Sequence, residues 1–144
     1  MLRKFSTFLS MPREQRLLAL EAHWALAKAR IKVLGVPVRN WRGTLEDAAG
    51  PAVQDAAMVA AIGLEIERAA RNLPGTSKCL PLALAARTML SRRSIASELM
   101  LGVRRSEAGI PAFHAWLKVG DTFVTGACDE SEYSPLTRAA QAAS

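Results

Sequence analysis

The sequence predicts an α+β fold: N-terminal helices and a central helix packed on a small antiparallel sheet. Three observations carry this. Apolar residues recur at intervals of three and four up to about residue 92. From Ile95 onward the pattern shifts to short alternating runs separated by glycine and aspartate. Alanine and leucine dominate while aromatics make up only 6% of the chain, a composition that favours helix for the larger part.

Residues 1–11 read as a loosely ordered lead. Ser10 is a plausible cap for a helix starting near Pro12, because proline fits a first helical turn. Leu17, Leu20, Trp24, Ala27, Ile31 and Leu34 then mark an amphipathic helix that Gly35 and Pro37 end. Residues 35–50 are irregular, and Trp41 among them reads as the plug of a groove. A second helix is expected from Pro51 to about Asn72, with Glu67 and Arg71 spaced to pair on its surface. Leu73-Pro74-Gly75 stops it. A third helix runs from Ser77, its expected cap, to about Arg92. Leu80, Leu84, Leu90 and several alanines make it apolar all round, which predicts the buried centre of the domain.

Strands follow at Ile95–Val103 and Ala112–Val119, joined by a polar connection, and a third begins at Thr122–Thr125 after the hairpin signal Gly120-Asp121. The segment from Asp129 is polar, then alanine-rich, and is expected to fray, with 138–144 loosest. No linker or internal repeat divides the chain, so residues 1–144 form one domain.

Composition narrows the function classes. Half the residues are apolar and 22% are charged, as in a globular protein. The net charge of +6 suits an anionic partner, but the basic residues are scattered, densest at Arg3-Lys4, Arg92-Arg93 and Arg104-Arg105. With no zinc-ligand spacing and no RNA-binding signature, nucleic acid is not the expected partner, and no metal or other cofactor is implied. No stretch approaches the ~20 apolar residues that span a bilayer, and the first residues are too short and polar for a secretory signal. Two cysteines, Cys79 and Cys128, do not make a disulfide framework; a reducing, cytoplasmic setting is expected.

Chemistry concentrates on Cys79. A cysteine in the first turn of a buried helix faces unpaired backbone N–H groups and the positive end of the helix dipole. Both stabilise a thiolate, and the same N–H groups suit the oxyanion of an attacked carbonyl. Lys78 adds positive charge beside it. His114, on a predicted strand between Phe113 and Ala115-Trp116, is the candidate base. His23 is a rival on paper, but it lies within the first helix, where packing is its expected role. Trp116 reads as core, with a substrate contact as the alternative. A structural cysteine and a satisfied core histidine are the plain alternatives for the pair.

Cys79-Leu80-Pro81-Leu82-Ala83-Leu84-Ala85, Leu99-Met100-Leu101-Gly102-Val103 and His114-Ala115-Trp116-Leu117-Lys118-Val119-Gly120, in that order, resemble the leader-peptidase family of lasso-peptide biosynthesis. The first helix, through Ala29-Arg30 and Leu34, also resembles that family, so the likeness runs from about Pro12 to Gly126. It implies a transglutaminase-like, papain-related core and cleavage of a leader peptide from a ribosomal precursor. A separate small leader-recognition protein would deliver the substrate, and an ATP-dependent cyclase would close the ring. Cys79 would then attack the carbonyl at the leader–core junction, with His114 as base and later as acid.

The family usually places an acid about twelve residues after the histidine, and that position here is Gly126. Asp121 sits in the hairpin turn, roughly 20 Å along the strand from His114. Folding back at the turn brings Gly126 or Ala127 opposite His114, so Asp129 is the expected orienting carboxylate, ahead of Glu130; a backbone carbonyl or water is the alternative. Cys128 falls nearby as a bystander, a packing residue or an oxidation partner of Cys79. Trp41 and the loop at 104–111 are candidates to border the cleft. Three further readings stay open: a degenerate module that holds a peptide without cutting it, acyl transfer to an amine, and attachment of the basic N-terminal segment to a membrane surface.

Overall fold

A computed structural model describes residues 8–37, 40, 55–75 and 78–136. Helix α1 spans Arg13–Gly35, α2 Ala56–Asn72 and α3 Cys79–Ser91. Ser10 does not cap α1. Pro12 holds the cap position in an extended conformation, and its carbonyl accepts the Arg16 N–H at 3.1 Å; no side chain closes that end. Ser10 belongs to a separate helical turn over residues 8–10. Helix α2 begins at Ala56, later than expected, because the Asp55 carboxylate accepts the Met58 N–H at 2.9 Å and caps it. Pro51 and Ser77, the starts read from sequence, lie outside the described residues. The cap position of α3 is taken by Lys78.

An amphipathic helix ordinarily turns its large apolar residues inward. Helix α1 does the reverse. Its buried residues are Ala19, Ala22, Ala25, Leu26 and Ala29, while Leu17, Leu20, Trp24, Ile31 and Leu34 are exposed. The reason is the neighbour it packs on. Helix α3 buries Ala83, Ala85 and Ala86, and alanine against alanine lets two helices approach closely with little side-chain entropy lost. Leu26, Ile62, Ile66, Met89 and Leu90 fill the remaining core, with α3 contacting both other helices as predicted.

A two-armed ion pair ties α1 to the far end of α3. Arg93 donates to both Glu21 oxygens, at 3.1 and 2.7 Å, and Arg92 to one at 3.4 Å. Hydrogen bonding to Arg93 holds the Glu21 carboxyl below its ordinary range, outweighing desolvation. A depressed folded-state value means the stabilisation exists above the unfolded carboxylate pKa of about 4.3 and disappears as pH falls through the folded value. Glu21→Gln should therefore cost about 1–2 kcal/mol at pH 7 in urea unfolding. That difference should close in acid below about pH 4.

The sheet is antiparallel in the order β3-β2-β1-β4, with β1 Glu98–Arg105, β2 Pro111–Val119, β3 Thr122–Thr125 and β4 Ser134–Pro135. Strands β1 and β2 pair from Glu98↔Lys118 to Arg105↔Pro111, which sets Gly102 opposite His114. The hairpin at Gly120-Asp121 forms where expected, with Gly120 at φ 57°. The segment after Asp129 does not fray. It makes a 3-10 turn at Glu130–Glu132, then pairs Ser134 and Pro135 with Val103 and Gly102, and the Leu136 N–H reaches the Leu101 carbonyl at 2.8 Å. Residues 138–144 lie outside the described residues.

Leu99, Ala115, Leu117 and Val124 face the helices from the sheet. Among the described residues, no helix is long and apolar enough to cross a membrane, and no group of three or more His, Cys, Asp or Glu could hold a metal ion.

Candidate active site

Cys79 is the first residue of α3, half-buried against the helical core. Pro81, two residues on, sits within the first turn, where its missing N–H breaks no helical bond. The N–H groups of a helix's opening turn have no carbonyl four residues back, so they remain donors aimed past its start.

Helix α3 packs against β2, the strand that carries His114. Alternation along β2 sends Ala115 and Leu117 into the helical core and turns His114 and Trp116 the other way. There the imidazole meets the Trp116 ring at 5.8 Å between centroids and the Tyr133 ring at 5.5 Å. Glu130 fixes this layer by accepting the Trp116 Nε1–H at 2.7 Å and a Lys118 Nζ–H at 3.0 Å. These two donors hold the Glu130 carboxyl below its ordinary range. Arg104, at the end of β1, covers Tyr133 and pairs with Glu132 at 2.8 Å. Gly102 leaves the room for the stack: a Cβ there would lie 2.8 Å from the Tyr133 Cβ and 2.9 Å from the Trp116 ring. The glycine of the Leu-Gly-Val strand is a steric requirement of the aromatic layer.

Trp116 is 2% exposed, so it supports the imidazole from below and has no surface for a substrate. The substrate contact considered for it is corrected accordingly. Trp41 lies outside the described residues.

The His114 Nε2–H donates to the Gly126 carbonyl oxygen at 2.8 Å. A carbonyl only accepts, so this bond fixes the tautomer: the proton is on Nε2, and Nδ1 carries the lone pair that a base needs. Gly126 can do this only as glycine. Its φ is +70°, and a Cβ would come 2.5 Å from the Ala115 carbonyl oxygen. Backbone at the family's acid spacing thus reaches the imidazole where a carboxylate was sought.

Asp129 does not orient His114 here. Its Oδ1 accepts the Ser131 N–H at 3.0 Å and the Ser131 hydroxyl at 2.6 Å, capping the 3-10 turn. The two Ser131 donors hold its carboxyl below the ordinary range. A side chain with a strong bond two residues away has little reason to leave it for the imidazole. No hydrogen bond joins Cys79 to His114 among the described residues.

Cys128 is a free thiol on the chain between Gly126 and the 3-10 turn. Burial pushes its pKa up, and Glu130, Asp129 and Glu132 add to the rise against a smaller opposing pull from Lys118. It is held protonated and is a poor nucleophile. His23 donates its Nδ1–H to the Ala19 carbonyl oxygen at 2.7 Å, which ties its ring to the backbone of α1.

Sequence reasoning set Gly126 or Ala127 opposite His114 with a backbone carbonyl as the alternative to Asp129, ranked Glu130 behind Asp129 as an acid for the ring, and missed Tyr133. The usable signal was the twelve-residue spacing that fell on Gly126, and the single tyrosine of the chain in a segment otherwise polar.

No curated protein and no solved structure matches the chain at a significant level. The family model described as the transglutaminase-like superfamily does match, over residues 17–138, which takes in all but the first turn of α1, the whole of α2 and α3, and the described sheet. This α+β core is one used by cysteine proteases and acyl transferases, and its match covers both Cys79 and His114. The chain belongs to the transglutaminase-like superfamily.

Proposed function

We propose that the protein is a cysteine peptidase that cleaves the leader peptide from a ribosomally made lasso-peptide precursor. The observation that carries this reading is the fixed imidazole: the Gly126 carbonyl holds the Nε2 proton of His114, leaving Nδ1 free to act as a base on the strand against which the Cys79 helix packs. The Cys79 sulfur, deprotonated by Nδ1, adds to the carbonyl at the leader–core junction. The N–H groups at the start of α3 receive the oxyanion. The imidazolium gives its proton to the leaving amine, and the leader remains as a thioester on Cys79. Water, deprotonated by the same Nδ1, then releases the leader acid and restores the thiol. The resting chain makes no thiol–imidazole hydrogen bond and β2 turns His114 away from the helical core, so this reading requires that substrate binding bring Nδ1 to the sulfur.

In this reading the precursor arrives with a separate leader-recognition protein, works beside a cyclase in the cytoplasm, and needs no metal or organic cofactor.

A second reading is a peptide-holding module without cleavage. The absent carboxylate at Gly126 and the unmade Cys79–His114 bond favour it. Alkylation separates the two. In the peptidase, iodoacetamide at pH 7 should label Cys79 at least about tenfold faster than Cys128, whose thiol is kept protonated by burial and by the surrounding acids. Equal slow labelling of both would favour the module. Product mass separates hydrolysis from transfer: the released leader gains one water in the first case and the acceptor amine in the second.

A further inference from the structure

A histidine ring turns easily about its outer torsion, whose energy wells are broad, so one bond to the Gly126 carbonyl does not fix it alone. His114, Trp116 and Tyr133 form a closed triangle of rings, with centroids 5.8, 5.5 and 5.6 Å apart. The indole lies nearly parallel to the imidazole, at 23° between planes. Whatever fixes the indole therefore fixes one face of the imidazole.

Trp116 is buried, so its Nε1–H has a protein partner in place of water. That partner is Glu130, whose other oxygen takes Lys118, two residues further along the same side of β2. Both arms of one carboxylate thus grip the side of the strand that carries His114. Glu130 also stands four residues after Gly126, and the Asp129–Ser131 bonds close the 3-10 turn around it. The segment 126–130 is tied at one end to the imidazole and at the other to the indole stacked on it. The other charges beside this layer, Arg104 and Glu132, pair with each other next to Tyr133.

We propose that Glu130 is a positioning residue for His114: by holding the Trp116 indole it keeps the imidazole turned with Nε2–H on the Gly126 carbonyl and Nδ1 bare. The carboxylate that orients a triad histidine by direct contact stands here one ring away. What the indole needs at that place is an acceptor, so glutamine can stand in for glutamate and leucine cannot. The consequence for cleavage rests on the peptidase reading; the orientation of the ring does not.

The test reads the His114 tautomer by nitrogen-15 NMR on the full chain at about pH 8.5, where an ordinary imidazole is neutral. The chain has two histidines, and His23 is an internal reference of the opposite kind, because its Nδ1–H is on the Ala19 carbonyl. His114 should show a protonated Nε2 and a bare Nδ1. Glu130→Leu should bring its two nitrogen shifts toward a common average while His23 keeps its pattern, which reports an intact α1. Trp116→Phe breaks the same bond from the ring side and should do likewise. Glu130→Gln should keep the wild-type pattern. With a leader–core peptide and the leader-recognition protein present, Glu130→Leu should lower kcat at least about tenfold with KM within about twofold, and Glu130→Gln should recover most of that loss. A His114 tautomer untouched in both Glu130→Leu and Trp116→Phe would overturn the proposal. So would a Glu130→Gln chain that loses the tautomer as fully as Glu130→Leu, since the bond to the indole would then not be what holds the ring. If no form of the chain cleaves the peptide, the peptidase reading fails, and the tautomer still decides this one.

Discussion

Cys79→Ala should lower cleavage of a leader–core peptide by at least about a thousandfold, and His114→Ala by a similar factor. In the peptidase reading the two residues act on one electron pair: the imidazole takes the thiol proton, which makes the sulfur nucleophilic, and without either partner the other has no task. The double variant should therefore be no slower than either single one. Asp129→Asn should stay within about twofold of wild type, since the carboxylate is engaged with Ser131 and the Gly126 carbonyl holds the ring. Progress curves by liquid chromatography, with the leader-recognition protein present, provide the comparison. A Cys79→Ala chain retaining a tenth of its rate would refute the peptidase reading, and a hundredfold loss in Asp129→Asn would put a carboxylate back behind the imidazole.

Gly126→Asp restores an acid at the family's spacing, and it should make the protein worse. A Cβ at that position would stand 2.5 Å from the Ala115 carbonyl oxygen and 3.1 Å from the Trp116 Cα, both of them backbone atoms of a paired strand. Neither can step aside as the tip of a flexible side chain would. The positive φ adds about 1–2 kcal/mol for any residue with a Cβ, and the overlap about 1–3 kcal/mol. Thermal unfolding should fall by roughly 5–15 °C, taking about 2–4 °C per kcal/mol for a domain of this size. Gly126→Ala, which adds the Cβ without the charge, should account for most of that fall. Unchanged melting in Gly126→Ala would mean that the strand can give way there.

Much of this architecture was legible because the signals were local. Leu73-Pro74-Gly75 and Gly120-Asp121 are breakers whose effect does not depend on the rest of the fold, so the end of α2 and the β2–β3 hairpin were placed closely. Helix α1 was also found, yet its orientation was not. A three-four spacing says which side chains share a face, but only the partner decides which face is buried, and here the partner is an alanine-rich helix that accepts alanines. The polar run after Asp129 misled for a related reason. What holds it are the Trp116–Glu130 bond and the Leu136–Leu101 bond, and both join residues far apart in sequence. In the site, Cys79 and His114 carry recognisable chemistry, while the group that orients the ring is a main-chain oxygen. Every residue has one, so no side-chain pattern could single out Gly126: the twelve-residue spacing falls on it, and a backbone carbonyl stands only as the alternative behind Asp129.

The arrangement around His114 also has a consequence for the order in which the molecule is made. The three helices and the sulfur leave the ribosome before any of the groups that hold the imidazole: Gly126, Glu130, Tyr133 and the short β4 edge all follow them in the chain. A nascent chain can thus bury its helical core while its histidine is still unanchored, and the ring gains its partners only once the segment after β3 has been made.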